Sequence, residues 1–250
     1  MKIKILYEDS NILAIDKPSG VSVHPDGRSK EKTISDWFLK NYPKTKNVGE
    51  PIKIKNDDKF FELLPRPGIV HRLDKDTSGV LLLAKNQKAY EFLKEQFKGR
   101  EIKKVYNAIV LGSMKNDRGT IRKPIGRSGN DFRKRLAGRG ARGELREAIT
   151  EYTVLKRFTS PPSSPSKGEG AKFTYLEVRP KTGRTHQIRV HMKFINHPVV
   201  CDSLYNGGHP SPKGIDRLAL HAKSIVFKDL KGKIIKVESP LPKEFIEVLK

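Results

Sequence analysis

A chain of 250 residues is long enough for one large domain or two small ones, with a sizeable core. Its 51 Lys and Arg against 28 Asp and Glu give a formal charge of +23, a surplus that points to a polyanionic partner. Nucleic acid ranks ahead of an anionic membrane, since no long basic amphipathic helix or lipidation signal stands out. Cys201 is the only cysteine, which excludes an internal disulfide and a Cys-based metal cage. The opening MKIKILYEDS is too short and charged for a signal peptide, and no stretch nears ~18 apolar residues, so a soluble, intracellular protein is expected.

In chain order, residues 3–17 read IKILYEDSNILAIDK, two apolar stretches flanking Glu8-Asp9-Ser10-Asn11, the pattern of a hairpin. Lys17-Pro18-Ser19-Gly20 follows as a turn, and an extended loop begins at Val21. A short helix is predicted over Thr33 to Tyr42, with Ile34, Trp37, Phe38 and Tyr42 inward. Residues 43–65 are Lys-rich and read as an irregular, flexible surface insertion.

The stretch from Arg66 to Lys85, RPGIVHRLDKDTSGVLLLAK, has two halves. Val80-Leu81-Leu82-Leu83-Ala84 is a short apolar run bounded by Gly79 and by Lys85-Asn86, the mark of a strand buried on both faces. Before it, His71, Arg72, Asp74, Lys75, Asp76, Thr77 and Ser78 crowd into eight positions. A polar loop pinned to a buried strand can hold a reactive group rigidly, and the same residues also suit an ordinary solvated turn with a capping Asp. Asn86 can then cap a helix carrying Ala89, Leu93 and Phe97 on one face, with Gly99 just past its end.

KKVYNAIVLG, at 103–112, alternates Val105, Asn107 and Ile109 against Tyr106, Ala108 and Val110, and reads as a strand. Residues 122–146 hold nine Lys or Arg against Asp131 and Glu144, with five glycines interspersed. That suits a mobile basic loop settling on phosphates through Arg133, Lys134 and Arg135, or a merely solvated one. Strand alternation returns over Arg146 to Phe158 and Lys172 to Pro180, on either side of a Pro/Ser/Gly-rich flexible hairpin tip. KTGRTHQIRVHM, at 181–192, sets His186 and His191 five apart, not the four of two ligands on one helical face, and has no zincin-type Glu, so no metal is expected.

HRLDKDTSGVLLLAK resembles the signature loop and strand of the RluA-type RNA pseudouridine synthases. The likeness continues in YEDSNILAIDKPSG, in the strand of Tyr106, in TGRTHQIRVHM, in His197-Pro198, in DSLYNGG at 202–208 and in RLALHA at 217–222. It covers almost the whole chain apart from the loops at 43–65 and 159–170. The resemblance implies that Asp74 is the catalytic acid, that Tyr106 is the aromatic of the second motif, and that Arg189 faces the acid. It also implies substrate contacts from His71, Arg72, Thr77, Arg184, His186 and Leu220. Among these, Arg72 would fill the gap left by a flipped base, Arg184 would meet the RNA backbone, and Leu220 would lie beneath the target base, where a plain core leucine fits as well. Many members carry a small separate RNA-binding domain first. Here a single catalytic domain over 1–250 is expected, without that module. The family usually has Gly where this chain has Cys201.

Pseudouridine formation breaks the bond from sugar to base nitrogen, rotates the base and rejoins it through carbon. One carboxylate must act on the nucleoside as nucleophile or base, and a base inside folded RNA must be flipped out to be reached. No cofactor is expected, and the sequence has no GxxxxGK phosphate loop, no GxGxxG after a strand and no Cys/His cluster. The resemblance therefore implies an α+β pseudouridine synthase fold, with a mixed, largely antiparallel sheet, flanking helices and a central RNA-binding cleft. The expected protein is a cytoplasmic monomer acting on ribosomal or transfer RNA, with no metal and no membrane partner. The rival reading is a non-catalytic RNA-binding or ribosome-assembly protein that retains the fold. Asp74, Tyr106 and Arg189 together argue against it, because binding alone needs no acid facing polyanionic RNA.

Overall fold

The computed structural model describes residues 1–25, 27, 31–55, 61–138, 140–160 and 170–250. The chain gathers into two compact units, Met1–Lys103 with Ser224–Ser239, and Lys104–Lys223 with Pro240–Lys250.

The first unit opens with β1 (Lys4–Glu8) and β2 (Ile12–Lys17), an antiparallel hairpin as expected. Asp9 makes its turn: Oδ1 accepts the N–H groups of Asn11 and Ile12, both at 2.7 Å, and Oδ2 accepts the Tyr7 hydroxyl. Burial, with Asp9 adding to it, pushes the Tyr7 phenol up to about 12. Next comes α1 (Ile34–Asn41), closed by a reciprocal cap in which Thr33 accepts the Asp36 N–H and Asp36 accepts the Thr33 N–H. Ile34 and Phe38 are buried, while Trp37 and Tyr42 are only half-buried.

The described parts of 43–65 are more regular than expected. A 3-10 turn at Pro43–Thr45 is followed by β3 (Ile52–Lys55) and β4 (Phe61–Leu64), which pair from Ile52↔Leu64 to Lys55↔Phe61. The alternation Ile-Lys-Ile-Lys at 52–55 is a strand period that the lysine content hides.

Then come β5 (Ser78–Ala84), buried along its whole length, and α2 (Gln87–Lys98), capped by Asn86 Oδ1 on the Ala89 N–H. β5 pairs antiparallel with β2. Gly68 runs beside it with φ +64°, and a Cβ there would lie 2.3 Å from the Ala84 carbonyl oxygen, so only glycine lets the chain approach β5 this closely. The helix ends at Lys98 with Gly99 just past it, as expected; Gly99 keeps helical angles (φ −73°), and Arg100 takes the left-handed position (φ 59°). This unit's core is built on Ile12, Ala14, Leu82, Ala89 and Leu93.

The second unit begins with β6 (Lys103–Leu111), whose residues Asn107–Val110 are buried without a break rather than alternately. The described residues of the basic stretch at 122–146 include three strands, where an irregular loop was expected. After β7 (Arg118–Arg122) it folds into β8 (Ile125–Ser128), β9 (Arg135–Ala137) and β10 (Ala141–Arg146), a three-stranded sheet in the order β10-β8-β9. Gly138, Gly140 and Gly143 have φ between 72° and 85°, so the glycines that suggested mobility make its left-handed turns. β11 (Ile149–Ser160) and β12 (Ala171–Pro180) follow as antiparallel partners out to Ser160↔Ala171, so Ser160 of the tip expected at 160–170 ends a strand, and 161–169 lie outside the described residues. β12 pairs antiparallel with β6, and β11 with β7.

α3 (Gln187–Phe194), β13 (Leu220–Lys228), β14 (Ile234–Glu238) and α4 (Lys243–Leu249) complete the chain. The end of β13 and β14 pair antiparallel in the first unit. The second core gathers Ile109, Phe173, Leu176, Met192, Val199 and Phe245. Among the described residues, no helix is long and apolar enough to cross a membrane.

Candidate active site

In the first unit, Asp74 sits half-buried in a loop that is braced from outside. Lys17, at the end of β2, is fully buried, and its ammonium donates to the carbonyls of Pro18 (2.8 Å), Val21 (2.7 Å) and Lys75 (2.8 Å). A buried charge is tolerable only when its donors are satisfied, and here that need ties the KPSG turn to the residue after Asp74. Ser19 Oγ makes a second tie, to the Asp76 carbonyl at 2.7 Å. Within the loop the Thr77 N–H bonds the Asp74 carbonyl (3.1 Å), and Thr77 is buried. Arg72 is exposed and donates to His24 Nε2 (3.3 Å). His71 Nε2 accepts the Leu82 N–H at 2.9 Å, and its ring stacks on Phe97 with centroids 4.6 Å apart, which moors the loop to β5 and α2.

In the second unit, the TGRTHQIRVHM motif is organised by Gln187, the first residue of α3. Its Oε1 accepts from Thr182 Oγ1 (2.7 Å) and the Arg184 N–H (3.0 Å), and its Nε2 donates to the Ile149 carbonyl and Thr150 Oγ1, both at 3.0 Å. Arg184 Nε reaches the Glu147 carbonyl. His186 takes the left-handed position before the helix (φ 57°), and its Nδ1 bonds the Tyr205 hydroxyl at 2.9 Å. His191 is fully buried. Its Nε2–H donates to the Lys123 carbonyl (3.0 Å), so Nδ1 is the acceptor for the Thr150 hydroxyl (2.8 Å). Burial pushes its pKa down, partly offset by the bond to Lys123. Both imidazoles thus have hydrogen-bonding work, and among the described residues no group of three or more His, Cys, Asp or Glu could hold a metal.

Arg189, also on α3, is 4% exposed and forks onto Asp202, with Nε to Oδ2 at 2.6 Å and Nη2 to Oδ1 at 2.8 Å. Asp202 Oδ1 also accepts the N–H groups of Leu204 (3.0 Å) and Tyr205 (3.1 Å). The Arg189 guanidinium lies 5.1 Å from the centre of the Tyr205 ring, a cation–π distance. The carboxylate and aromatic ring that hold this arginine were missed in the sequence, although both stand in the DSLYNGG segment. Cys201, just before it, has φ 54°, a left-handed position that glycine adopts more readily than cysteine.

The other expected residues of this unit lie on several elements. Tyr106 is half-buried on β6, opposite Val178. Leu220 is 3% exposed in the second core. Lys104, unremarked in the sequence, lies against Gly183 of the motif turn, and burial pushes its pKa down. Arg133, Lys134 and Arg135 lie at the β8–β9 turn: Arg133 clamps Asp131 through Nε (3.0 Å) and Nη2 (2.9 Å), and Lys134 Nζ is 3.9 Å from the same carboxylate. Arg133's side-chain bonds, then its backbone N–H, draw the Asp131 carboxyl down to about 2.

A family model described as RNA pseudouridylate synthase matches residues 11–194. The chain belongs to that family. The Ribosomal large subunit pseudouridine synthase D of Borreliella burgdorferi is 38% identical over 245 residues, 98% of this chain and 67% of that protein. The protein of the same name from Pseudomonas aeruginosa is 36% identical over 261 residues, 100% of this chain and 71% of its own. The solved structure of Human RNA Pseudouridylate Synthase Domain Containing 1 shares the fold, with a TM-score of 0.73 over 96% of this chain and 84% of that one at 24% identity. The protein is therefore an RNA pseudouridine synthase of α+β fold, an isomerase with RNA as its substrate, rather than a binding protein that merely kept the architecture.

Proposed function

We propose that the substrate is large-subunit ribosomal RNA and that Asp74 is the group that acts on the target uridine, as nucleophile or as base. The RNA assignment is supported by the names of the relatives at 38% and 36% identity over nearly the whole chain. The assignment of Asp74 is supported by its place in HRLDKDTSG and by the bracing of that loop through Lys17 and Ser19, which preorganises a side chain before substrate arrives. Arg189 of the TGRTHQIRVHM motif is a second residue on which turnover depends. Its fork on Asp202 fixes its orientation, and Nη1 lies on the edge turned away from that pair. Tyr106 stacks on the flipped base. Arg72, exposed at the loop surface, takes the space that the base leaves. The enzyme works as a cytoplasmic monomer without metal or nucleotide.

Pseudouridine mapping of cellular RNA, with and without this gene, tests the reading. One or more large-subunit sites should disappear and return on complementation with the parent, but not with Asp74→Asn. Loss confined to transfer RNA would overturn the substrate assignment, and Asp74→Asn turnover within tenfold of the parent would overturn the role of the acid. Turnover should also survive EDTA on an RNA that folds without Mg²⁺.

A further inference from the structure

We infer that Phe132 is an aromatic platform on which an unpaired base of the RNA stacks. Phe132 is 73% exposed, the most exposed large apolar residue among the described ones. A single exposed apolar residue is ordinary, so exposure alone decides nothing. The turn around it decides more. Phe132 is followed directly by Arg133, Lys134 and Arg135, a π-face beside three cations, which is the pairing that single-stranded nucleic acid requires.

The turn is also built rather than slack. Ser128 Oγ accepts the N–H groups of Asn130 and Asp131, both at 3.3 Å. The Lys134 N–H bonds the Asp131 carbonyl (2.9 Å), and the Ser128 N–H bonds the Lys134 carbonyl (3.1 Å). Arg135 Nη1 donates to the carbonyls of Phe132 and Lys134, both at 3.1 Å, so the guanidinium grips the peptide that carries the ring. Below the turn, the Arg135 N–H donates to the Tyr205 hydroxyl (2.8 Å), on the ring that faces Arg189. A platform held this way loses little entropy when a base settles on it.

The inference rests on RNA being the substrate, and its test reads binding rather than turnover. The probe is a labelled single-stranded oligouridylate of about 12 nucleotides, within the span of such sites. Phe132→Ala should weaken binding by roughly five- to a hundredfold, the usual effect of removing one stacked base. Phe132→Tyr and Phe132→Trp should restore it to within about threefold, and Phe132→Leu should not, because only the aromatic variants keep a π-face. The salt slope should stay at the parent's value, since every cation that meets a phosphate is kept. A second oligonucleotide with one 2-aminopurine should be quenched by the parent and less so by Phe132→Ala. Rescue by leucine, an alanine effect under twofold, or equal quenching would overturn the platform. A parent that binds but forms no pseudouridine would instead count against the enzymatic reading and leave the platform standing.

Discussion

The second unit contains two arginine–aspartate forks of nearly equal geometry in opposite surroundings. Arg189 holds Asp202 at 2.6 and 2.8 Å, and Arg133 holds Asp131 at 3.0 and 2.9 Å, each through Nε and Nη2. The first pair has side chains 5% and 0% exposed, the second 62% and 21%. Burial removes the alternative of solvation. Neither Arg189 nor Asp202 can exchange its partner for water, so the pair fixes a direction for the guanidinium rather than adding much net stability. The Arg133 side chain is 62% exposed, so its pair is screened by salt and parting from Asp131 costs little. One geometry therefore serves for aiming an arginine in the interior and for storing a releasable one at the surface.

The largest expected difference comes from removing the acids. Asp202→Ala strands a buried guanidinium and leaves the Leu204 and Tyr205 N–H groups without their acceptor, so it should cost about 3–5 kcal/mol in urea unfolding. Asp131→Ala should cost less than about 1 kcal/mol. Equal costs would show that burial does not separate the two forks. Next in size is a split between two arginines of one motif. Arg189→Met should lower single-turnover rate at saturating RNA by orders of magnitude. Arg184→Met, at the Glu147 carbonyl, should weaken RNA binding while leaving the saturated rate near the parent's. The opposite pattern would mean that the two roles are exchanged.

The surface fork is best examined through salt. Replacing Arg133, Lys134 and Arg135 together with alanine should flatten the dependence of RNA affinity on salt by roughly 0.7–0.9 for each phosphate no longer neutralised. Asp131→Asn frees the cations it now neutralises, so it should tighten RNA binding at low salt, with the gain shrinking as salt rises. An unchanged slope in the triple variant would remove this turn from the RNA interface.

The same contrast explains what was legible in the sequence. The β1–β2 hairpin, β5 and α2 were readable because each is a local pattern: Asp9 in a turn, an unbroken apolar run, an asparagine cap before a helical face. The β8–β10 sheet was not. Its glycines and arginines have the composition of a solvated loop, and only φ values near 80° show that the glycines are there to turn strands. Asp202 and Tyr205 were missed for another reason. A buried ion pair is specified by two segments thirteen residues apart that share no periodicity, and their role is visible only when the guanidinium is seen between carboxylate and ring. Lys17 was similarly read as part of a turn, because its three carbonyl partners include one 58 residues away.

A further effect lies on the helix of the buried fork and concerns the pH dependence set by His191. Its ring is neutral, donating from Nε2 to the Lys123 carbonyl and accepting at Nδ1 from Thr150. A second proton would go on Nδ1, facing a hydroxyl oxygen that already receives a bond from Gln187 Nε2, so the Thr150 hydroxyl would have to turn away. Burial adds to this, and the folded-state pKa lies below its ordinary value. The unfolded chain then binds more protons than the folded one in the window below about 6.5, the unfolded value. Stability from this group is therefore full above that pH and is lost as pH falls towards the folded pKa, by at most about 1.4 kcal/mol per pH unit. His191→Gln can still bond Lys123 and Thr150 but cannot take up a proton. Its stability at pH 7 should be lower by about 1–2 kcal/mol from imperfect packing, and its decline between pH 7 and pH 5 should be shallower than the parent's in urea titrations. Parallel declines in the two proteins would assign the acid sensitivity to other groups.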